Sequence, residues 1–162
     1  MKNTNPGLPP IVGRDPEILI LGSFPSLISL GKSEYYGNPK NQFWRIIEIL
    51  FGIDHALSYP LRTHLLTEHR IALWDALAFC RREGSMDSAI CDPVANDITG
   101  FVAAHPTIRC IALNGSTAGR YFKSMNPDLN GHILPSTSPA YASMSFAEKT
   151  LEWARICIRD AL

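Results

Sequence analysis

Four short apolar runs punctuate the chain: EILILG (17–22), RIALWDAL (70–77), IRCIALNG (108–115) and HILPS (132–136). They are hydrophobic throughout rather than alternating, the pattern of strands buried on both faces. Each gives way to small, polar or Gly/Pro residues. Helical spacing fills the intervals. NPKNQFWRIIEILFG is predicted to be a helix capped by Asn38, with Pro39 at its first position and an end near Gly52. DPVANDITGFVAAHP repeats that start with Asp92 and Pro93, and places Val94, Ile98, Phe101 and Val102 on one face. STAGRYFKSM follows the third run. SFAEKTLEWARICIRDAL pairs Ser145 with Glu148 in a capping box and draws an apolar line through Leu151, Ala154 and Ile158.

Strands alternating with helices predict an α/β protein, a three-layer α/β/α sandwich around a central four-stranded parallel sheet. Residues 1–162 read as one domain, with residues 1–10 (Pro6, Pro9, Pro10) an irregular N-terminal arm. In such folds the site lies beyond the C-terminal ends of the strands. That rule singles out GSFPS (22–26), WDAL (74–77), NGSTAG (114–119) and LPSTSPA (134–140).

Composition narrows the chemistry. Hydrophobic residues make up 46% and charged residues 19% of the 162, an ordinary globular balance. Lys+Arg and Asp+Glu both number 15, so no large overall field steers the chain to a polyanion. Cys80, Cys91, Cys110 and Cys157 show no CxxC spacing, and the histidines are scattered, so no metal site is expected. MKNTNPGLPP lacks the apolar core of a signal peptide, and no run approaches the ~20 residues of a membrane span. A soluble, cytoplasmic protein is the expectation. GSFPS is not GxGxxG, and no GxxxxGK[ST] occurs. Gly115–Gly119 imitates a nucleophile elbow, but Thr117 stands where serine is needed.

What remains is Ser, Thr, Asn and backbone amides at strand ends. Such groups hydrogen-bond a flat polar ligand and grip phosphates. Tyr35 and Tyr36 offer stacking surface or plain packing. Ser26, Ser136, Thr137 and Ser138 suit ligand contact or ordinary turn chemistry. It is their convergence on one sheet edge that points to a binding site.

LGSFPSLISL (21–30), YYGNPKNQFW (35–44), IALWDALAFCRREGSMDSAI (71–90), LNGSTA (113–118) and LPSTSPA (134–140), in this order, resemble the uracil-DNA glycosylase superfamily, and within it the deoxyinosine branch. The resemblance implies hydrolysis of the N-glycosidic bond of a deaminated base flipped out of DNA, with no metal or cofactor. It implies base-facing amides at Gly22, Ser23 and Phe24. Phe24 stands where many relatives carry a water-handling Asp or Asn. The water-holding role then falls to Asn41, through its carbonyl oxygen. Tyr36 matches a base-stacking aromatic. Asn114 would bond the base edge or hold the leaving group. Asp75 lies where a base-reading Asn occurs, and a structural hydrogen bond serves equally. Ser26, Ser136, Thr137, Ser138, Pro139, Ala140 and Tyr141 are implied DNA contacts, with Ser138 on a phosphate and Ala140 or Tyr141 filling the vacated stack. The leading expectation is a monomeric hypoxanthine-DNA glycosylase. The alternatives are a uracil-preferring enzyme and a non-catalytic nucleic-acid or nucleotide-binding module.

Overall fold

The computed structural model describes residues 2–3 and 6–157. In chain order the elements begin β1 (Lys2–Asn3), β2 (Ile18–Gly22), α1 (Leu27–Lys32), α2 (Phe43–Phe51), α3 (Tyr59–Glu68), β3 (Ile71–Asp75) and β4 (Leu77–Glu83). They continue with β5 (Cys91–Ala95), α4 (Ile98–Ala104), β6 (Cys110–Asn114), α5 (Ser116–Met125), β7 (His132–Leu134) and α6 (Phe146–Trp153).

The four apolar runs form one parallel sheet in the order β3-β2-β6-β7. β2 is central and buried at every position, which is why its sequence carries no polar alternation. Successive residues still point to opposite faces. Ile18 and Ile20 pack with Phe43, Ile46, Ile47, Leu66 and Trp153, so α2, α3 and α6 cover one side. Leu19 and Leu21 pack with Ile98, Leu113 and Phe122, so α4 and α5 cover the other. The layers are those expected from the sequence.

A second, antiparallel sheet in the order β1-β4-β5 was not expected. β4 follows β3 after Ala76 alone, and its hairpin partner β5 occupies residues assigned above to a helix. Asp92 and Pro93 are therefore not a helix start. Pro93 sits in an outer strand, where a missing N–H costs nothing in the ladder. Val94 is exposed there. The helix begins later, at Ile98, with the Asp97 side chain accepting from Gly100 N at 2.9 Å. Within the N-terminal arm, Lys2–Asn3 pairs with β4, and Gly7 N bonds Ala78 O at 2.8 Å.

The Ser145–Glu148 capping box is present at α6. Leu151, however, is 74% exposed, and the helix buries Lys149 and Trp153 instead. Ile158 lies outside the described residues. The start of α2 also differs. Asn38 closes a turn, its Oδ1 accepting from Lys40 N at 3.0 Å and its carbonyl from Asn41 N at 2.9 Å. The helix starts four residues after Pro39, at Phe43.

Relocating the α4 cap has a measurable consequence. Asp97→Ala is expected to cost about 1 kcal/mol in urea denaturation, the usual value of an N-cap. Asp92→Ala, which removes an exposed ion pair with Arg81, is expected to cost well under that.

Candidate active site

Strand register fixes the floor of the site. Gly22 pairs with Asp75, Leu21 with Leu113, and Asn114 with Leu134, so Gly22, Asp75 and Asn114 share the C-terminal edge of the sheet. Above them opens a pocket of about 470 Å³, within the ~300–1,000 Å³ usual for small-molecule sites. Its walls come from residues 22–26, 35–41, 85–88, 114–117 and 136–141. No histidine or cysteine is among the described lining residues.

One double hydrogen bond joins two of these walls. Asn114 Oδ1 accepts from Thr137 N, and Asn114 Nδ2 donates to Thr137 Oγ1, both at 3.0 Å. The Thr137 carbonyl accepts from Gln42 N at the head of α2, also at 3.0 Å. Thr137 is 0% exposed and its hydroxyl oxygen accepts from Asn114, so it braces the loop from within. Asn114, expected at the base edge, uses both ends of its amide in the same brace. Each end keeps capacity for one more bond. α6 holds the rest of the loop. Trp153 Nε1 donates to Pro135 O at 2.8 Å, and buried Lys149 donates to Tyr141 O at 2.6 Å with its ammonium 5.1 Å from the Tyr141 ring.

Ser136, Ser138, Pro139, Ala140 and Tyr141 line the pocket mouth. The Ser136 and Ser138 hydroxyls accept from Ser138 N and Ala140 N, each at 3.2 Å, which rounds the loop outward. Tyr141 stands 37% exposed at its end. On the opposite wall Ser26 caps α1, accepting from Ser29 N at 3.1 Å. Ser23 and Phe24 reach the pocket, but the Phe24 ring turns into a small core with Leu77 and Cys80, beneath the Arg82 guanidinium.

Asn41 lines the pocket from the other side. Its Oδ1 accepts from Phe43 N at 2.9 Å, so it has a local structural use that the sequence did not disclose: one residue before the N-cap Gln42, it closes a turn onto the first N–H of α2. That bond also fixes the amide in one orientation, with a second lone pair and its –NH₂ unassigned.

At the floor, Tyr36 and Asp75 meet across Gly22. A Cβ on Gly22 would lie 2.5 Å from Asp75 Oδ1 and 3.2 Å from the Tyr36 hydroxyl, so only glycine leaves that space open. Tyr36 adopts φ +54, unusual for a residue with a side chain, and stacks one ring face on Phe43 at 4.1 Å. The Tyr36 hydroxyl and Asp75 Oδ2 are both buried and have no hydrogen-bond partner among the described residues. Burial first, then the Asp87 carboxylate, push the Asp75 carboxyl up to about 7 against the opposing pull of Arg82. Burial and Asp75 raise the Tyr36 hydroxyl far above its ordinary range. The nearby Asn114 amide opposes this without reaching normal bond geometry.

Sequence reasoning missed one wall entirely, the tip of the β4–β5 hairpin. Ser85, Met86, Asp87 and Ser88 face the pocket. Ser23 Oγ donates to Asp87 Oδ1 at 2.8 Å, and Leu27 N donates to Ser85 Oγ at 2.9 Å. Arg82, 2% exposed, donates to the Gly84 and Pro25 carbonyls and so ties the tip to the turn after β2. The run CRREGSMDS within the resembling segment was the available signal.

Comparison with known proteins follows the same lines. A sequence profile described as the uracil DNA glycosylase superfamily matches residues 9–162. A protein of Methanosarcina acetivorans named hypoxanthine DNA glycosylase is 38% identical over 156 residues, covering 93% of this chain and 96% of its own. One of the same name from Methanosarcina barkeri is 36% identical over 116 residues, covering 71% and 73%. The solution NMR structure of a candidate uracil DNA glycosylase from Methanosarcina acetivorans superposes with a TM-score of 0.82 at 36% identity, covering 99% of both chains.

The brace and the buried carboxyl each carry a prediction. Thr137→Val removes the acceptor of Asn114 Nδ2 and is expected to cost about 1–3 kcal/mol in denaturant melts. Burial raises the Asp75 carboxyl from its ordinary value of about 3.8 to about 7 in the native state, so the native protein holds the extra proton between those values. Its contribution is fully present below about pH 4 and is lost as pH rises through about 7. The urea midpoint of the wild type is therefore expected to fall from about pH 5 to about pH 8, and that of Asp75→Asn to fall less.

Proposed function

The chain belongs to the uracil DNA glycosylase superfamily, and we propose that it hydrolyses the N-glycosidic bond of hypoxanthine in DNA, leaving an abasic site. The observation that carries this is the closure of all the resembling segments around one pocket, with no acidic or histidine side chain at the water-handling positions. The related proteins named hypoxanthine DNA glycosylase support the choice of base.

A base can reach the pocket only after leaving the helix, which costs a few kcal/mol and is easiest at a mispaired site. The exposed face of Tyr36, backed by Phe43, stacks on the flipped base in this reading. Gly22, Ser23, Phe24 and Asp75 border it, and Ser26, Ser136, Ser138, Pro139, Ala140 and Tyr141 contact the strand. Tyr141 fills the gap, its backbone held by Lys149. Thr137 acts from beneath, by shaping this loop.

Asn41 holds the attacking water with the lone pair that Phe43 leaves available. An amide is no base near neutral pH, so its contribution is placement beside the sugar C1′ and a negative dipole toward an oxocarbenium-like centre. Asn114 directs the second hydrogen of its amide toward the base or the leaving group. The first turn of α5, which has no side-chain cap, presents backbone N–H groups of Ser116 and Thr117 on the same side. The protein works in this reading as a single-domain monomer on damaged DNA in the cytoplasm, and the step asks for no metal or cofactor.

The test is a set of duplexes with a single deoxyinosine, deoxyuridine or deoxyxanthosine, followed by alkaline cleavage of abasic sites. Breaks are expected at inosine, and Asn41→Ala is expected to slow them by on the order of 10²-fold or more. The same change removes the hydrogen bond to Phe43 N, worth about 1 kcal/mol, so its melting temperature is measured alongside. Tight DNA binding with no breaks at any lesion would identify a binding module instead.

A further inference from the structure

The loop that contacts the strand in the reading above carries no charge of its own. Residues 134–146, LPSTSPAYASMSF, include no acidic or basic side chain, and the chain as a whole has no net positive charge to make up for that. One cation reaches the loop from beneath. Lys149 of α6 is 2% exposed, and its ammonium donates to Tyr141 O at 2.6 Å and lies 5.1 Å from the Tyr141 ring.

This is an unfavourable place for a lysine. Burial disfavours the charged ammonium, and no neighbouring charge offsets that. Lys149 takes part in no ion pair among the described residues. It also sits near the start of α6, its N–H bonded to Ser145 O, where the positive end of the helix dipole repels a cation. The adjacent acid, Glu148, is engaged in the capping box, accepting from Ser145 N at 2.8 Å. Arg82, just as buried, differs: Cys80, Asp87 and Asp75 all oppose the effect of burial on its charge.

A neutral donor would hold the Tyr141 carbonyl as well. The lysine is explained if its charge is used, and an ammonium with one bond to protein has two N–H groups to spare. Tyr141 N bonds Ser138 O at 3.1 Å, so residues 138–141 form a tight turn, and all four line the pocket mouth. The ammonium bonds the last residue of that turn. Its charge therefore lies just below the surface that the strand crosses, within the ~8–10 Å over which a charge stays effective at physiological salt. Protein between them screens less than water does.

We propose that Lys149 is a buried anchor for DNA: its ammonium, left unneutralised by the protein, is compensated by a backbone phosphodiester lying on the Ser138–Tyr141 turn. This rests on the glycosylase reading and deepens it, by giving an uncharged loop the cation it lacks. Lys149 acts through the turn and touches neither base nor sugar, so it is a positioning residue. The free protein bears the cost of the buried charge, and binding of the strand recovers it. Phosphate contacts carry no sequence information, so the choice of lesion does not depend on Lys149.

Lys149→Met keeps the aliphatic stem and removes the charge. Its melting temperature is expected within about 4 °C of the wild type, because loss of the bond to Tyr141 O is offset by relief of an unpaired buried charge. Binding is measured by fluorescence anisotropy with a labelled duplex carrying one deoxyinosine, and Asn41→Ala in every protein keeps the strand intact. The Kd is expected to rise about 10-fold at ~50 mM salt. The plot of log Kd against log salt is expected to be shallower by about 0.5–1, the gap narrowing as salt rises. An undamaged duplex is expected to show the same loss, and Lys149→Arg to restore most of the affinity and the slope.

An unchanged Kd and slope in Lys149→Met would overturn the proposal, as would a loss confined to the deoxyinosine duplex. So would a Lys149→Arg protein that folds yet binds as weakly as Lys149→Met. A Lys149→Met protein melting more than about 10 °C below the wild type would also refute it, by showing that the ammonium serves the packing of the loop. Absence of breaks at every lesion in the wild type sinks the glycosylase reading. Breaks in the wild type, together with wild-type Kd and slope in Lys149→Met, sink only this inference.

Discussion

Asn114 and Thr137 hold each other through two hydrogen bonds of 3.0 Å, and most of the site depends on that pair. Asn114 ends the strand beside β2, and Thr137 lies mid-way along the loop after β7. Thr137 then passes the connection to α2 by accepting from Gln42 N. Sheet edge, loop and helix head are thus fixed in one unit. Asn41 stands just before Gln42, so its pocket position is set by the same chain of bonds. The pair is buried on the threonine side, where an unmatched donor or acceptor would be costly. Recognition and water placement in such a site need accuracy below an ångström, and a brace of uncharged bonds supplies it without adding charge near the reacting centre.

The parallel sheet could be read from sequence because burial on both faces writes itself as unbroken apolar runs. The segments beyond those strands could be read because polar residues at strand ends converge on the C-terminal edge of the sheet. The hairpin was missed for the opposite reason. β5 is exposed along its whole length, so CDPVA carries no burial pattern, and Asp-Pro signals a helix start as readily as an edge strand. Asn38 closes a turn instead of capping α2, and Asn41 likewise accepts from a backbone N–H two residues ahead; such bonds leave no periodic trace in the sequence. Thr137 stands among the implied DNA contacts beside two serines, and only the fold shows it bonded to Asn114 and buried. Lys149 and Arg82, charged residues that sit buried under loops, are invisible to any reading that assigns charges to the surface.

Met86 illustrates what folding adds to a motif. It is 56% exposed at a hairpin tip that Ser85, Asp87 and Arg82 tie to the turn after β2. It lines the pocket beside the hydroxyl-bearing Ser85 and Ser88. Such a mixture of apolar and hydroxyl-bearing side chains needs no net positive charge, in keeping with a formal net charge of zero.

The few charges that do reach the pocket are arranged to suppress one another. Asp87 and burial favour the proton on Asp75, and Arg82 sits close enough to temper the cost without bonding to the carboxyl. The Tyr36 hydroxyl and Asp75 Oδ2 have no hydrogen-bond partner among the described residues, which lowers stability there. Unpaired floor atoms and a tightly paired rim therefore belong together: what the floor gives up in stability, the double hydrogen bond of Asn114 and Thr137 partly restores.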